Sequence, residues 1–342
     1  MTKNYPIQVN PFYSLVALLF FCSFNVFFNP MLKGQDIHFT QFDFAPLLIN
    51  ASNTGNFNGD MRISGNFRNQ QGALANPYRT ALISFDRQVF LLNQKLGIGA
   101  YFVNDESGAG KLTFNKLYAS LAYNTTVNNN GFGIGLQVGY VTGGYTDWGN
   151  FNRSTGNFDA PSGENMLSLK TGYADINAGI YFKRSIKKIE PELGFSLLHL
   201  NKPPKTFIDD KGTKEDMRLI SYALVKTNIT DKIYFTPKFF FSAKSSLNEL
   251  IAGAEAGYKL IGVKSTVKKL FGGAYIRNGQ SGMGSIMVQA GATVSRIDIA
   301  LSYDMYMSGI NDTGARNAFE ISFVYKSIST LLNSYSIPCE RY

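Results

Sequence analysis

The composition of this 342-residue chain predicts many strands rather than a helical protein. Glycine (33 residues), phenylalanine (28) and tyrosine (19) are abundant, whereas only 17% of the residues are charged. Strands favour aromatic residues, and helix-rich soluble proteins use more Ala, Leu, Glu and Lys. The formal net charge of +9 is dispersed along the chain without a dense run of Lys and Arg, which argues against a nucleic-acid partner.

Residues 1–35 predict an export signal. Lys3 precedes the apolar stretch Leu15–Phe28, which is shorter than the roughly twenty residues of a membrane-spanning helix. Cleavage is expected near Gly34–Gln35, and the alternative is an uncleaved anchor. Removing the signal also removes Cys22 and leaves Cys339 as the last cysteine, so no internal disulfide is expected.

Residues 36–58 form an apolar segment ahead of the first predicted strand. Its core, Phe39–Asn50, reads FTQFDFAPLLIN and is too short to cross a bilayer. Leaving its large apolar side chains in water would cost about 1.5–3 kcal/mol each. The strands that follow predict a barrel. We therefore expect this segment to tuck into the periplasmic mouth of that barrel and to narrow the mouth. The residues assigned to this contact are Phe39, Phe42, Phe44, Pro46, Leu47, Leu48 and Asn50.

Residues 59–326 predict an all-β fold, a transmembrane antiparallel β-barrel of about 14 strands. In GFGIGLQVGYV, the apolar residues Phe132, Ile134 and Leu136 fall on one face, and Gly133 and Gly135 fall on the other. The same period of two recurs along the chain, which is typical of strands. The predicted strand centres are Ile63, Ile83, Ala100, Ala119, Leu136, Ile176, Leu193, Ser221, Phe235, Ala254, Gly273, Met287, Ile299 and Ile321.

The length of these runs favours a membrane barrel over a soluble sandwich. Most extend over about ten to twelve residues, as strands that cross a membrane do. Aromatic residues near the ends of runs, such as Tyr101, Tyr123 and Tyr140, are assigned to interfacial girdles. A secreted soluble β-protein would show the same alternation and stays open as an alternative. The small and polar second face predicts a lumen that is wet or filled by inserted segments.

Two connections are much longer than the others. Thr146–Lys170 and Asn201–Asp216 are predicted to lie outside the cell, because outer-membrane barrels keep their short turns on the periplasmic side. The last predicted strand contains Phe319–Tyr325 and is followed by a periplasmic tail, residues 327–342. The apolar residues of this tail either pack against the barrel rim or dock onto a periplasmic partner.

The sequence offers no catalytic or metal-binding constellation. It contains two histidines, His38 and His199, and a lone histidine at a strand end is usually structural or solvated. DESGAGKL, which ends just past Lys111, departs from the phosphate-binding loop, since Asp105 stands at the first glycine position and no Ser or Thr follows the lysine. We therefore expect no enzymatic activity, no cofactor and no metal.

Five stretches follow one another in a specific order between Asp36 and Tyr342. They read DIHFTQFDFAPLLINASNTG, GAYFVNDESGAG, GLQVGYV followed by TDW, LGFSLLHLNKPPKTF, and IPCERY. Together they resemble the PorP/SprF family of type IX secretion system membrane proteins. The chain departs from the family at its Asn-Pro-Ala element, which reads Asn50-Ala51 here without the proline.

The resemblance implies an outer-membrane barrel that works beside periplasmic ring proteins of the PorK/GldK and PorN/GldN type. It also implies export or surface attachment of a partner adhesin or other cargo, and whether this serves gliding motility or anchoring alone stays open. The residues assigned to partner contact are Trp148, Pro203, Pro204, Cys339, Arg341 and Tyr342. Two other functions stay open: a channel for small-solute uptake, which a polar and basic lumen would permit, and an outer-membrane enzyme, which the absence of a catalytic constellation disfavours.

Overall fold

The computed structural model describes residues 37–70, 78–91, 94–108, 111–145, 170–204, 214–245, 247–261, 266–279, 284–307 and 317–328. The predicted signal and the tail beyond Ile328 lie outside this set. The described strands are β1 (Met61–Gln70), β2 (Tyr78–Leu91), β3 (Gln94–Ser107), β4 (Leu112–Val127), β5 (Asn130–Tyr145), β6 (Lys170–Arg184), β7 (Ile189–Leu198), β8 (Arg218–Asn228), β9 (Ile233–Lys244), β10 (Leu247–Lys259), β11 (Val267–Gly279), β12 (Gly284–Val294), β13 (Ile297–Met307) and β14 (Ala318–Lys326).

These strands form one closed antiparallel barrel. Each strand pairs with its neighbours in sequence, and β1 closes the sheet by pairing with β14 from Arg62 opposite Lys326 to Gln70 opposite Ala318. Closure leaves no sheet edge open among the described strands. Every predicted strand centre falls within the corresponding strand, so the prediction of a barrel of about 14 antiparallel strands is confirmed.

The alternation along each strand separates an apolar outer surface from a lumen that carries small and polar residues together with buried apolar side chains such as Phe240 and Ile251. Ile83, Leu121 and Ile134 are among the large apolar side chains that face outward and are exposed. Tyr123 and Tyr140 are exposed on the outer surface, as their assignment to girdles requires, but the assignment is wrong for Tyr101. Tyr101 is 3% exposed because it occupies an inward position of β3, where its ring stacks on a neighbouring tyrosine.

The two ends of the barrel differ in their connections. At the short-turn end, tight turns such as residues 128–129 and 295–296 join successive strands. At the opposite end, which we name the long-loop end, residues 146–169 join β5 to β6 and residues 199–217 join β7 to β8. Both long connections predicted from the sequence therefore share one end, although residues 146–169 and 205–213 are not among those described. β1 begins and β14 ends at the short-turn end.

Candidate functional site

The segment ahead of β1 lies inside the barrel, and we name residues 37–60 the plug. At the long-loop end, Arg218 Nη1 donates to the carbonyl oxygen of Ile37 at 3.1 Å. At the short-turn end, the backbone amide of Asp60 donates to Ser327 Oγ at 3.1 Å. The plug therefore runs the length of the lumen, which takes it well beyond the single mouth expected from the sequence.

Three short helical turns shape the plug: a 3₁₀ turn at Phe42–Phe44, the helix α1 at Pro46–Ile49, and a 3₁₀ turn at Ala51–Asn53. Pro46 opens α1, where its missing N–H is not needed. Asn50 caps the next turn, because its Oδ1 accepts from the backbone amide of Ser52 at 2.9 Å. Within the described ranges, the structure has no helix with the length and apolarity needed to cross a bilayer.

Apolar side chains of the plug pack against opposite walls of the barrel. Phe39 and Leu47 contact side chains from β2 to β6, whereas Phe42 and Ile49 contact side chains from β7 to β12. Phe44 reaches a third group on β9, β11, β13 and β14. Burying each such side chain stabilises by about 1.5–3 kcal/mol, so the plug acts as a brace across the lumen. Of the residues assigned from the sequence, Phe39, Phe42, Phe44, Pro46, Leu47 and Asn50 are buried and Leu48 is half-buried.

A buried ionic cluster holds the plug near the long-loop end. The backbone amides of Thr40 and Gln41 donate to the two carboxylate oxygens of Glu320 at 2.8 and 3.0 Å. Thr40 Oγ1 also donates to Asp304, whose Oδ2 lies 2.8 Å from Arg68 Nη2. Hydrogen bonds to charged groups contribute about 1.5–3 kcal/mol each, so this cluster fixes the depth of the plug.

Glycines on the inward face form a cradle for the middle of the plug. A Cβ at Gly135 would lie 2.3 Å from the carbonyl carbon of Ala51, and one at Gly179 would lie 2.0 Å from Asn50 Oδ1. Gly97 meets the plug backbone in the same way. These distances are too short for any side chain, which explains why β3, β5 and β6 carry glycine there. The small inward face seen in the sequence is therefore filled by the plug at these positions.

Charged side chains anchor the plug at mid-barrel and toward the short-turn end. Lys238 Nζ on β9 lies 2.7 Å from Asp43 Oδ2 in the plug. Asp86 on β2 accepts from the backbone amide of Gly55 at 2.7 Å and from Arg62 Nε at 2.9 Å. The plug is thus tied by charge to two strands that lie far apart around the barrel.

A chain of buried polar groups links the β7–β8 connection to the plug. His199 Nδ1 lies 2.8 Å from Asp175 Oδ2, and the backbone amide of His199 donates to Asn177 Oδ1 at 3.0 Å. Asn177 Nδ2 in turn donates to Gln137 Oε1 at 3.3 Å, and Gln137 Nε2 donates to the carbonyl oxygen of Leu47 at 2.8 Å. These partners have no distinguishing mark in the sequence, because they occupy ordinary inward positions of β5 and β6.

Docking of the plug should weaken in acid because of His38. Burial lowers the pKa of His38 from 6.5 to about 4; the nearby Glu249 carboxylate opposes this shift, and the guanidinium groups of Arg277, Arg68 and Arg218 add to it. Between about pH 4 and pH 6.5, His38 would be protonated in a withdrawn plug but stays neutral in the docked plug. Docking should therefore be strongest above pH 7 and weaken as the pH falls from about 6.5 to about 4, by about 3 kcal/mol in total.

Conductance across planar bilayers would measure this dependence. The wild-type protein should show more frequent opening at about pH 4 than at neutral pH. The His38→Gln variant, which stays neutral throughout, should show a smaller increase. An equal response to acid in both proteins would contradict the role assigned to His38.

The residues assigned to partner contact fall only partly within the described ranges. Pro203 is buried and its carbonyl oxygen accepts from the backbone amide of Glu215 at 2.8 Å, whereas Pro204 is exposed. Trp148, Cys339, Arg341 and Tyr342 lie outside the described residues. Within the ranges that the structure covers, no group of three or more His, Cys, Asp and Glu side chains could hold a metal ion.

The apolar outer surface and the occupied lumen define a plugged β-barrel of the outer membrane. The family model described as type IX secretion system membrane protein PorP/SprF matches residues 31–325. The chain therefore belongs to the PorP/SprF family, which places it in the outer membrane with a role in type IX secretion. No individually curated protein matches the sequence.

Several solved structures share the barrel architecture at very low identity. The Ralstonia pickettii toluene transporter TbuX gives a TM-score of 0.49 at 9% identity, with 83% of this chain and 93% of that chain covered. The P. putida toluene transporter TodX gives 0.48 at 8% identity, with 82% and 94% covered. BamA from Haemophilus ducreyi lacking POTRA domains 1–3 gives 0.41 at 8% identity, with 78% and 70% covered. Such identities are too low to transfer a function.

Proposed function

We propose that the protein is a plugged scaffold of type IX secretion, which supports the export or surface attachment of a partner adhesin or other cargo without catalysing a reaction. The observation that carries this proposal is the plug, which is braced on opposite walls and held by charged side chains near the long-loop end, at mid-barrel and toward the short-turn end. A solute channel needs an open lumen. Because buried side chains of the plug cross the lumen, partner proteins would bind at the rims and loops of the barrel.

The proposed orientation places the long-loop end outside the cell. Outer-membrane barrels keep short turns in the periplasm and long loops outside. The β5–β6 and β7–β8 connections would then face cargo or surface adhesin, with Trp148, Pro203 and Pro204 on that side. The short-turn end, where β14 finishes at Lys326, would face periplasmic ring proteins of the PorK/GldK and PorN/GldN type.

Cysteine labelling on intact cells should report this orientation. We choose two exposed lysines, Lys214 in the β7–β8 connection and Lys232 in the turn between β8 and β9, and replace each with cysteine in a Cys339→Ser background. A membrane-impermeant thiol reagent should label Lys214→Cys on intact cells and label Lys232→Cys only after the outer membrane is broken. The reverse pattern would invert the topology.

The tail beyond Ile328 is proposed to dock onto the periplasmic ring, with Arg341 as a polar anchor, Tyr342 buried and Cys339 in a small contact. The place where the tail begins supports this role. Ser327, just ahead of the tail, lies at the short-turn end, where its Oγ accepts from the backbone amides of Asp60 and Met61. The tail therefore leaves the barrel on the side that would face the ring.

Ending the chain after Ile328 should abolish cargo secretion and capture of ring proteins while leaving barrel insertion normal. This truncation retains Ser327, so its hydrogen bonds with the backbone amides of Asp60 and Met61 stay intact. Secreted and surface-bound cargo would be measured in cells lacking the native gene, with ring proteins recovered by affinity capture. A matched control would carry residues 329–342 in scrambled order. Normal secretion and capture by the truncated protein would contradict the proposal, and the tail would then be assigned to packing on the rim.

A further inference from the structure

A cavity of about 730 Å³ lies between the plug and the surrounding barrel, with lining residues on β1, β4 to β11, β13 and β14. It opens at the short-turn end, because residues of the turns there, Asn129 and Ser185, contribute to its lining. Its inner limit is formed by the plug side chains Phe42, Phe44 and Ile49. Its volume falls within the range of pockets that enclose ligands as large as a short peptide, and far exceeds the volume that one small ion needs.

The lining of this cavity carries more positive than negative charge. Eight Lys and Arg side chains face five Asp and Glu side chains. Some of these charges are already paired, as Lys238 is with Asp43 at 2.7 Å and Lys326 is with Asp298 at 3.3 Å. Arg62 is also paired, with Asp86 at 2.8 Å. The remaining side chains of the lining still include more Lys and Arg than Asp and Glu.

Three lysines provide charge that an incoming anion could use. Lys183 Nζ donates to the amide oxygen of Asn56 at 2.5 Å, and Lys259 Nζ donates to the amide oxygen of Asn228 at 2.7 Å, so each of these hydrogen bonds goes to a neutral group. Lys226 lies within electrostatic range of the ammonium groups of Lys183 and Lys326, and Lys183 also lies within range of the carboxylates of Glu192 and Glu190. Gathering cations in a partly enclosed site is unfavourable, and a bound carboxylate would relieve that repulsion.

The same cavity presents aromatic surface beside these cations. Half-buried Phe57 contributes to its lining, together with the small exposed parts of Tyr222, Tyr234 and Phe271, which are 3%, 9% and 7% exposed. A free inorganic anion would use only the ammonium groups, whereas a peptide with acidic and aromatic side chains would use both kinds of surface. The combination of volume, positive charge and aromatic rings therefore favours a peptide over a small ion.

We propose that this cavity binds an acidic peptide segment of another protein, whose side-chain carboxylates are held by Lys183, Lys226 and Lys259. A periplasmic source for the peptide rests on the orientation and function proposed above. Binding to the cavity itself does not depend on them, and it can be measured on the purified protein.

The test uses full-length protein in detergent and a fluorescein-labelled hexapeptide of alternating Glu and Tyr, followed by fluorescence anisotropy. The peptide should bind in a salt-sensitive manner, and its counterpart with Gln in place of Glu should bind at least about tenfold more weakly. The triple variant Lys183→Gln, Lys226→Gln, Lys259→Gln should lower the affinity for the Glu peptide by at least about tenfold.

A matched control removes the same number of charges from exposed turns at the same end, outside the cavity: Lys187→Gln, Lys188→Gln and Lys232→Gln. This control should bind the Glu peptide as the wild type does. Equal losses in the two triple variants, or equal binding of the Glu and Gln peptides, would overturn the proposal. Displacement of the Glu peptide by low concentrations of inorganic phosphate would assign the cavity to small anions and overturn it as well. Because the assay does not involve secretion, its failure would leave the proposed function untouched.

Discussion

A protein that lacks Phe39–Ile49 should conduct ions, whereas the full-length protein should be close to silent in planar bilayers. The deletion removes the apolar brace on both walls and the two amides that bind Glu320. Barrels of about eight strands are filled by their own side chains, and barrels of sixteen to eighteen leave an aqueous channel. A barrel of fourteen strands lies between these cases and should hold a continuous water path once it is emptied.

Single-channel recording would measure this change, with heat-modifiable gel migration showing that the shortened barrel still folds. Asn58→Ala is a suitable control, because Asn58 belongs to the plug but is exposed. That variant should stay as silent as the wild type. A folded barrel that lacks Phe39–Ile49 and remains silent would show that the plug does not close the lumen.

Adding one methyl group at Gly135 should release the middle of the plug. The Cβ of Gly135→Ala would lie 2.3 Å from the carbonyl carbon of Ala51, and the atom in the way belongs to the backbone. A rotamer change cannot relieve such a contact, so the 3₁₀ turn must move as a unit. Overpacking a filled site typically costs about 1–3 kcal/mol, and a clash with backbone should fall at the upper end of that range.

The exposure of Ser52 would report this release, since its side chain is 0% exposed in the docked plug. Ser52→Cys in a Cys339→Ser background should react slowly with a small thiol reagent, and adding Gly135→Ala should raise the rate at least about tenfold. Gly284→Ala is the matched control, because its Cβ would approach only the carbonyl oxygen of Arg277, at 3.7 Å. Equal reaction rates in the Gly135→Ala and Gly284→Ala proteins would show that the cradle tolerates a side chain.

The strands could be predicted because each one carries its own local signal. Ile134 must face lipid and Gly135 must face the lumen, and this alternation is visible within a few residues. The presence of an inserted segment could also be predicted, since Phe39 and Leu47 have no clean strand face and could not remain in water. The sequence-based assignment of Tyr101 to a girdle failed because an aromatic residue near a strand end serves an interface or a lumen equally well. The phase of alternation along β3 decides between the two, since Ala100 and Phe102 face outward and Tyr101 faces inward.

The depth of the plug could not be predicted, because the groups that fix it are far apart in sequence. Thr40 and Glu320 are separated by 280 residues, and Asp43 and Lys238 by 195. In the sequence, Glu320 is simply a polar residue in a strand in which apolar and polar residues alternate. Its partners become apparent only once the barrel closes and brings β14 beside β1. The same limit applies to the basic cavity, whose lysines come from different strands.

The position of Thr40 and Gln41 also bears on how the barrel is assembled. Arg68 of β1 and Glu320 of β14 face each other across the seam where the first and last strands meet. The plug binds the same Glu320 carboxylate, and Arg68 Nη1 donates to Thr40 Oγ1 at 2.6 Å. If the plug were absent when β1 and β14 pair, Arg68 and Glu320 would meet without the groups of Thr40 and Gln41 to which they hydrogen-bond. The plug is thus in a position to stabilise the pairing of β1 with β14, so a barrel that has enclosed its own N-terminal segment would close more favourably than one that has not.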